Sequence, residues 1–171
     1  MKAPRPLFEA RQIQERIGQL GRDISPAYAG KRPIVLGLLR GCVPFLSALI
    51  QQLDFSFDLE FAQGSSYEDA TAPAHAPVLR FPGTPLWSGR DVLVVDDILD
   101  TGATYAALLE DLRDKGVASI RLCVLLDKPA RRQASVAPDW RGFEVPDLFV
   151  VGFGMDHAGN YRGLPWIGVL D

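Results

Sequence analysis

Apolar residues in residues 7–28 fall at Phe8, Ile13, Ile17, Leu20 and Ile24, in steps of three to five. That spacing predicts an amphipathic helix, ended near Ser25-Pro26. Ile34–Leu39 is a short, unbroken apolar run after a Gly-Lys-Arg-Pro turn and predicts a buried strand, broken by Gly41. Residues 43–53 predict a helix with Pro44 in its first turn, where a missing N–H costs little. Residues 57–61 alternate enough for a strand. Residues 63–77 carry Gly64, Ser65, Ser66, Pro73 and Pro77 among small alanines and show no period. A polar loop of that length is either a lid or a disordered segment. Residues 78–81 read as a strand, 82–85 as a turn, and 91–95 as the strongest strand in the chain. Residues 103–115 predict a helix closed by Gly116. Strands are expected at 119–126 and 146–152, before a glycine-rich, partly aromatic tail.

Strands alternating with helices, several of them continuously apolar, predict an α/β fold with a parallel-rich sheet covered on both faces. Such sheets bind ligands at the carboxyl ends of their strands. Those ends carry Arg40-Gly41, Asp96-Asp97, Asp127-Lys128 and the stretch from Gly152 to Asp156. No internal repeat stands out, and one domain over residues 1–171 is expected, with 63–77 as its lid.

Composition is that of a globular enzyme, 47% apolar and 23% charged, which argues against disorder. A net charge of −3 argues against a nonspecific nucleic-acid binder, which needs a basic face. Cys42 and Cys123 form no Cys-x-x-Cys pair and no cluster with His75 or His157, so a structural zinc site is not expected. Cys123 reads as buried filler in a strand. There is no signal-peptide pattern and no apolar run long enough to span a membrane, so the expected location is the cytoplasm.

The candidate chemistry lies in Val92 to Thr104. An apolar run meets two adjacent carboxylates, Asp96 and Asp97. A third, Asp100, follows, and then Thr101-Gly102-Ala103-Thr104 opens a helix. A small-residue loop at a helix start can aim backbone N–H groups at a phosphate, aided by the helix dipole. The carboxylates beside it can hold ribose hydroxyls, a Mg²⁺ ion or a proton in transit. The plain alternative is an acidic turn in which Asp100 or Thr101 caps the helix.

This stretch resembles the signature of type I phosphoribosyltransferases. Three further segments narrow the resemblance: Leu125 to Pro129, Pro146 to Asp156, and Tyr161 to Pro165 with the C-terminal Ile167 to Leu170. In that order they are similar to the hypoxanthine(-guanine) phosphoribosyltransferases, over most of the chain from about Ile34 to Leu170. The resemblance implies the type I fold, a twisted parallel-rich sheet flanked by helices, with a small hood built from the terminal segments. It implies transfer of the 5-phosphoribosyl group from 5-phosphoribosyl-1-diphosphate to N9 of a purine, with Mg²⁺ as cofactor. It also implies a homodimer or homotetramer.

Residue by residue, the resemblance places Asp96 and Asp97 on the ribose hydroxyls and near Mg²⁺. Asp96 stands where many relatives have the longer Glu, so its metal contact can run through water. Asp100 matches the general base near purine N7. Thr101, Gly102, Ala103 and Thr104 match the loop around the 5′-phosphate. Lys128 matches the donor to the exocyclic O6, which selects 6-oxopurines over adenine. Phe149 matches the aromatic stacked on the base, although a lone Phe in an apolar run would otherwise read as core. Val150 offers backbone groups to the ring, and Met155 lies against it. Asp156 matches a carboxylate for a second Mg²⁺, and Arg162 the arginine for pyrophosphate. Arg40 and Gly41 match a pyrophosphate loop that often holds a cis peptide, and Ser66 and Tyr67 match the lid pair. Nothing catalytic is drawn from His157. Two other readings stay open. One is a xanthine-type enzyme on the same fold, with the Lys128 and Phe149 segments counting against a uracil type. The other is a nucleotide-responsive regulator, against which stands the absence of a basic excess.

Overall fold

The computed structural model describes residues 3–65, 78–81, 83 and 86–170. Ser66 and Tyr67 lie outside the described residues. The chain runs β1 (Arg5–Phe8), α1 (Ala10–Ile24), β2 (Ile34–Leu39), α2 (Val43–Ile50), β3 (Asp58–Ser65), β4 (Val78–Arg80), β5 (Asp91–Leu99), α3 (Ala103–Asp114), β6 (Ser119–Asp127), β7 (Trp140–Glu144), β8 (Val150–Val151) and β9 (Ile167–Val169). The main sheet has the order β4-β3-β2-β5-β6-β7, in which all strands are parallel except the edge strand β4. A second, antiparallel sheet, β1-β9-β8, joins the segments near the two termini into a hood.

The unbroken apolar strands are explained by side-chain alternation between two covered faces. Val35, Leu93, Val95, Cys123 and Leu125 point to one core, shared with Ile13, Ile17, Leu20 and Ile24 of α1 and Phe45 and Leu49 of α2. Ile34, Leu36, Val92, Val94, Leu122 and Val124 point to the other, shared with Leu108 and Leu112 of α3. Gly37 stands within β2 because α2 packs there: a Cβ would lie 2.6 Å from Leu46 Cδ2. Cys42 and Cys123 are buried and unpaired, and burial pushes both thiols far above their ordinary range. No helix of the described residues is long and apolar enough to cross a membrane.

Several boundaries differ from the sequence reading. Leu7 and Phe8 belong to β1, and the helix begins after them at Ala10. Gln12 Oε1 accepts the Glu9 N–H at 2.9 Å and closes a capping box there. Gln63, Gly64 and Ser65, expected in the lid, complete β3 and pair with β4. The strand expected at 91–95 continues through Asp96 and Asp97 to Leu99, still paired with β6. The strand expected at 146–152 is only Val150–Val151. β7 was not expected at all: it is a half-exposed edge strand without clear alternation. Its Arg141 and Gly142 carbonyls accept hydrogen bonds from Arg16 of α1 at 2.7 and 2.8 Å.

Candidate active site

The carboxyl ends of β2, β5 and β6 open into a cleft of about 870 Å³, continuous with a smaller one of about 320 Å³. Asp97, Ile98, Asp100, Leu39 and Gly41 line both. The smaller cleft is walled by Asp96 and by Thr101 to Tyr105. The larger holds Arg40, Lys128, Phe149, Val150, Met155, Asp156 and Arg162. Every site residue expected from the sequence and lying among the described residues therefore lines one of two joined clefts.

The phosphate-loop candidate is built as the sequence pattern demands. Gly102 caps α3 with φ of 86°, a left-handed conformation that a side chain resists. A Cβ there would also lie 2.6 Å from Val136 Cγ2. The helical ladder starts with Ala106 N–H donating to Gly102 O at 2.9 Å. The amides of Thr104 and Tyr105 thus have no acceptor within the helix.

Asp96 and Asp97 are half-exposed to the clefts yet densely surrounded by protein. Burial pushes the Asp96 carboxyl well above the usual carboxylate range, and the Asp97 charge beside it pushes the same way. Asp97 is raised too, by burial, against hydrogen bonds from Asp96 and from backbone amides. The ion pairs of the cleft use Asp100, Asp147 and Asp156, and among the described residues none uses Asp96 or Asp97. Asp97 presses against Gly41, where a Cβ would come within 1.9 Å of its Oδ2. The Leu39–Arg40 peptide before Gly41 is cis, and Arg40 is exposed.

On the opposite wall, Lys128 is only 6% exposed and its Nζ donates to Leu148 O at 2.7 Å. Phe149 beside it is 53% exposed, with its ring edge-on to His157 at 5.2 Å. The hood fixes this segment, because Val150 pairs with Val169 and Leu170 N–H donates to Phe149 O at 2.9 Å. Asp156 accepts from Arg162 Nη2 at 2.5 Å and from Gly159 N–H at 2.8 Å, and Arg162 Nη1 donates to Gly154 O.

Arg131, Asp147, Arg132 and Arg141 of this region were not singled out in the sequence. Arg131 Nε donates to Asp100 Oδ1 at 2.7 Å, and its Nη1 reaches Asp147 Oδ1 at 3.2 Å. The Asp100 and Asp147 carboxylates raise the Arg131 guanidinium above its ordinary value. Asp127, buried at the end of β6, is held by Arg132 and by Arg141 at 3.2 Å. The signal available was the Arg131-Arg132 pair just after Lys128-Pro129.

The family model for the phosphoribosyl transferase domain matches residues 7–158. A hypoxanthine-guanine phosphoribosyltransferase of Lactococcus lactis is 43% identical, covering 96% of this chain and 89% of that protein. One of Bacillus subtilis is 39% identical, covering 96% and 91%. A crystal structure of a hypoxanthine-guanine phosphoribosyltransferase from Bacillus anthracis superposes with a TM-score of 0.91 at 30% identity, covering 99% of this chain and 100% of that one. A ternary substrates complex of the Trypanosoma cruzi hypoxanthine phosphoribosyltransferase gives 0.89 at 31% identity, covering 97% and 94%. On this sequence likeness, carried across nearly its whole length, the chain belongs to the hypoxanthine-guanine phosphoribosyltransferases of the type I phosphoribosyltransferase family.

Proposed function

We propose that this protein is a purine-salvage transferase. It moves the 5-phosphoribosyl group from 5-phosphoribosyl-1-diphosphate to N9 of hypoxanthine or guanine, giving IMP or GMP and diphosphate. The observation that carries this reading is the joining of two clefts through Asp97 and Asp100: a smaller one at the start of α3 and a larger one holding Lys128 and Phe149.

The 5′-phosphate sits on the amides of Thr101 to Thr104 at the positive end of α3. Asp96 and Asp97 face the ribose hydroxyls. Phe149 offers an exposed ring face to the purine. Lys128 has three donors, so it keeps Leu148 O and still reaches the exocyclic O6. A 6-amino group cannot accept that bond, which disfavours adenine. Val150 and Met155 close the pocket behind the ring. As C1′ loses diphosphate it gains oxocarbenium character, and the carboxylates on the ribose side stabilise that charge. N9 then forms the new bond to C1′, while Asp100 takes the ring proton near N7. Arg40, Gly41 and Arg162 receive the leaving diphosphate. Ser66 and Tyr67 belong to the loop that closes over the reaction and excludes water.

The acid pair fits a divalent cation: two adjacent oxygen-donor side chains, with burial opposing their charge and no cation paired to either among the described residues. No group of three or more metal-ligating side chains occurs among the described residues. That suits Mg²⁺, which takes one or two carboxylates and fills its shell with water and phosphate oxygens. Asp96 and Asp97 would hold one ion, and Asp156 a second on the diphosphate side. Held there, such ions would neutralise diphosphate charge and so favour its departure.

We place the enzyme in the cytoplasm, where its two free thiols suit a reducing medium. It acts as one domain and as a homodimer or homotetramer. The deciding experiment incubates purified protein with phosphoribosyl diphosphate, Mg²⁺ and equal hypoxanthine, guanine, xanthine and uracil. IMP and GMP should dominate. Dominant xanthosine monophosphate would move the protein to the xanthine type, and no product with any base would refute a transferase.

A further inference from the structure

The geometry points to Arg131 as a positioning residue for this transfer: its guanidinium aims the Asp100 carboxylate and ties it, through Asp147, to the segment that carries Phe149. The inference rests on the transferase reading above.

Arg131 ends the short 3-10 turn Pro129–Arg131, and its N–H donates to Lys128 O at 3.1 Å. It is thus fixed to the residue proposed to read the purine. From there the side chain spans two separate parts of the cleft. Nε donates to Asp100 Oδ1 at 2.7 Å, and Nη1 lies 3.2 and 3.4 Å from the two Asp147 oxygens. All three residues line the larger cleft. Lys128 makes the inner tie to the same segment through Leu148 O, and Arg131 makes the outer one.

These ion pairs are 39–57% exposed at the side chains. Pairs of that exposure contribute little to stability, so their effect is on placement. Asp100 follows the last residue of β5 and precedes the phosphate loop, where a short side chain has several rotamers open to it. A general base must stand within hydrogen-bond reach of its proton. Arg131 engages Oδ1, which leaves Oδ2 as the oxygen that meets a ring nitrogen. A guanidinium is suited to this because its donors are held in one plane, whereas an ammonium offers a single point of charge.

The test compares R131A, R131K, D100N and the R131A/D100N double variant of the full chain, with phosphoribosyl diphosphate, hypoxanthine and Mg²⁺. R131A should lose roughly ten- to hundredfold in kcat, the scale of misplacing a reacting group by about an ångström. Its KM for hypoxanthine and its affinity for IMP should stay within about threefold. R131K should recover little, and added guanidinium ion below denaturing concentration should restore part of the R131A turnover. On the D100N background, R131A should change kcat by less than about threefold, because the two act as one unit. Unchanged kcat in R131A overturns the inference. So does a loss confined to purine KM, which would make Arg131 a direct ligand, or an equal loss on the D100N background. If R131A does not fold, R131K and R131Q carry the same comparisons. A wild type that makes no IMP refutes the transferase reading and this inference with it, whereas an active wild type with an indifferent R131A overturns this inference alone.

Discussion

Replacing Gly41 with Ala should damage catalysis while sparing the fold. A Cβ at this position would lie 1.9 Å from Asp97 Oδ2, 2.6 Å from its Cγ and 3.0 Å from Oδ1. Ordinary contact begins near 3.4 Å, so the carboxylate must retreat by about 1.5 Å. The Asp97 backbone lies within β5, between β2 and β6, so the side chain moves and the strand does not. Gly41 is not among the glycines with positive φ, and Ala carries no backbone strain there. It even narrows the unfolded ensemble, which offsets part of any cost. A displacement of about 1 Å in a catalytic group costs on the order of a hundredfold in rate, or about 2.7 kcal/mol of transition-state stabilisation. Initial rates of IMP formation at varied phosphoribosyl diphosphate should show that loss in kcat/KM, with Tm within a few degrees of wild type. Gly154→Ala is the contrast: φ is 101° and a Cβ would lie 2.0 Å from the Gly41 carbonyl oxygen, so backbone must shift and Tm should fall. A G41A enzyme within threefold of wild-type kcat/KM would refute the reasoning, as would an activity loss matched by a collapse in Tm.

Other substitutions separate the remaining parts. Lys128→Met should lose about 1.5–3 kcal/mol of charged hydrogen bonding, roughly ten- to hundredfold in kcat/KM for hypoxanthine. The KM for phosphoribosyl diphosphate should barely change, and an equal loss for both substrates would count against the O6 role. Arg132→Ala removes a partner of buried Asp127 and should destabilise by about 3 kcal/mol in urea unfolding; a change below about 1 kcal/mol would mean Arg141 suffices. Asp58 is held below its ordinary value of 3.8 by hydrogen bonds from Arg90 and Arg32. Its contribution is therefore complete above that value and lost as pH falls through the lower folded one. Melting curves of Asp58→Asn and wild type should run apart at neutral pH and converge below about pH 4; a constant gap would contradict the linkage.

The parts of the site that were legible in sequence are those coded locally. The run from Val92 to Val95, the acids after it and the small residues before Ala103 carry strand, cleft and helix start in consecutive positions. Lys128 was legible because it follows the apolar run Leu122–Leu126 at the carboxyl end of β6. What was missed depends on distant partners. Asp96 to Leu99 read as lying beyond the strand because charge at a strand position looks like its end; pairing with β6 and an open cleft keep them extended. Phe8 fell in phase with Ile13 and Ile17 and so read as helix, whereas its backbone is claimed by Ile167 at the far end of the chain. The tie from Arg131 to Asp100 crosses 31 positions and leaves no period in either segment. The reason Gly41 is glycine appears only when β2 and β5 lie side by side.

The hood also sets an order on synthesis. The cradle from Asp96 to Thr104 draws on β2, β5 and α3, with β6 beside them and Gln133, Ala134 and Val136 against Thr101 and Gly102, all of which precede residue 140. Val150, by contrast, gains its strand partner only when Ile167–Val169 has been made, and Leu170 secures Phe149 last. A chain leaving the ribosome can therefore shape its phosphate side well before its purine side, and a ribosome stalled short of residue 167 would carry half a site.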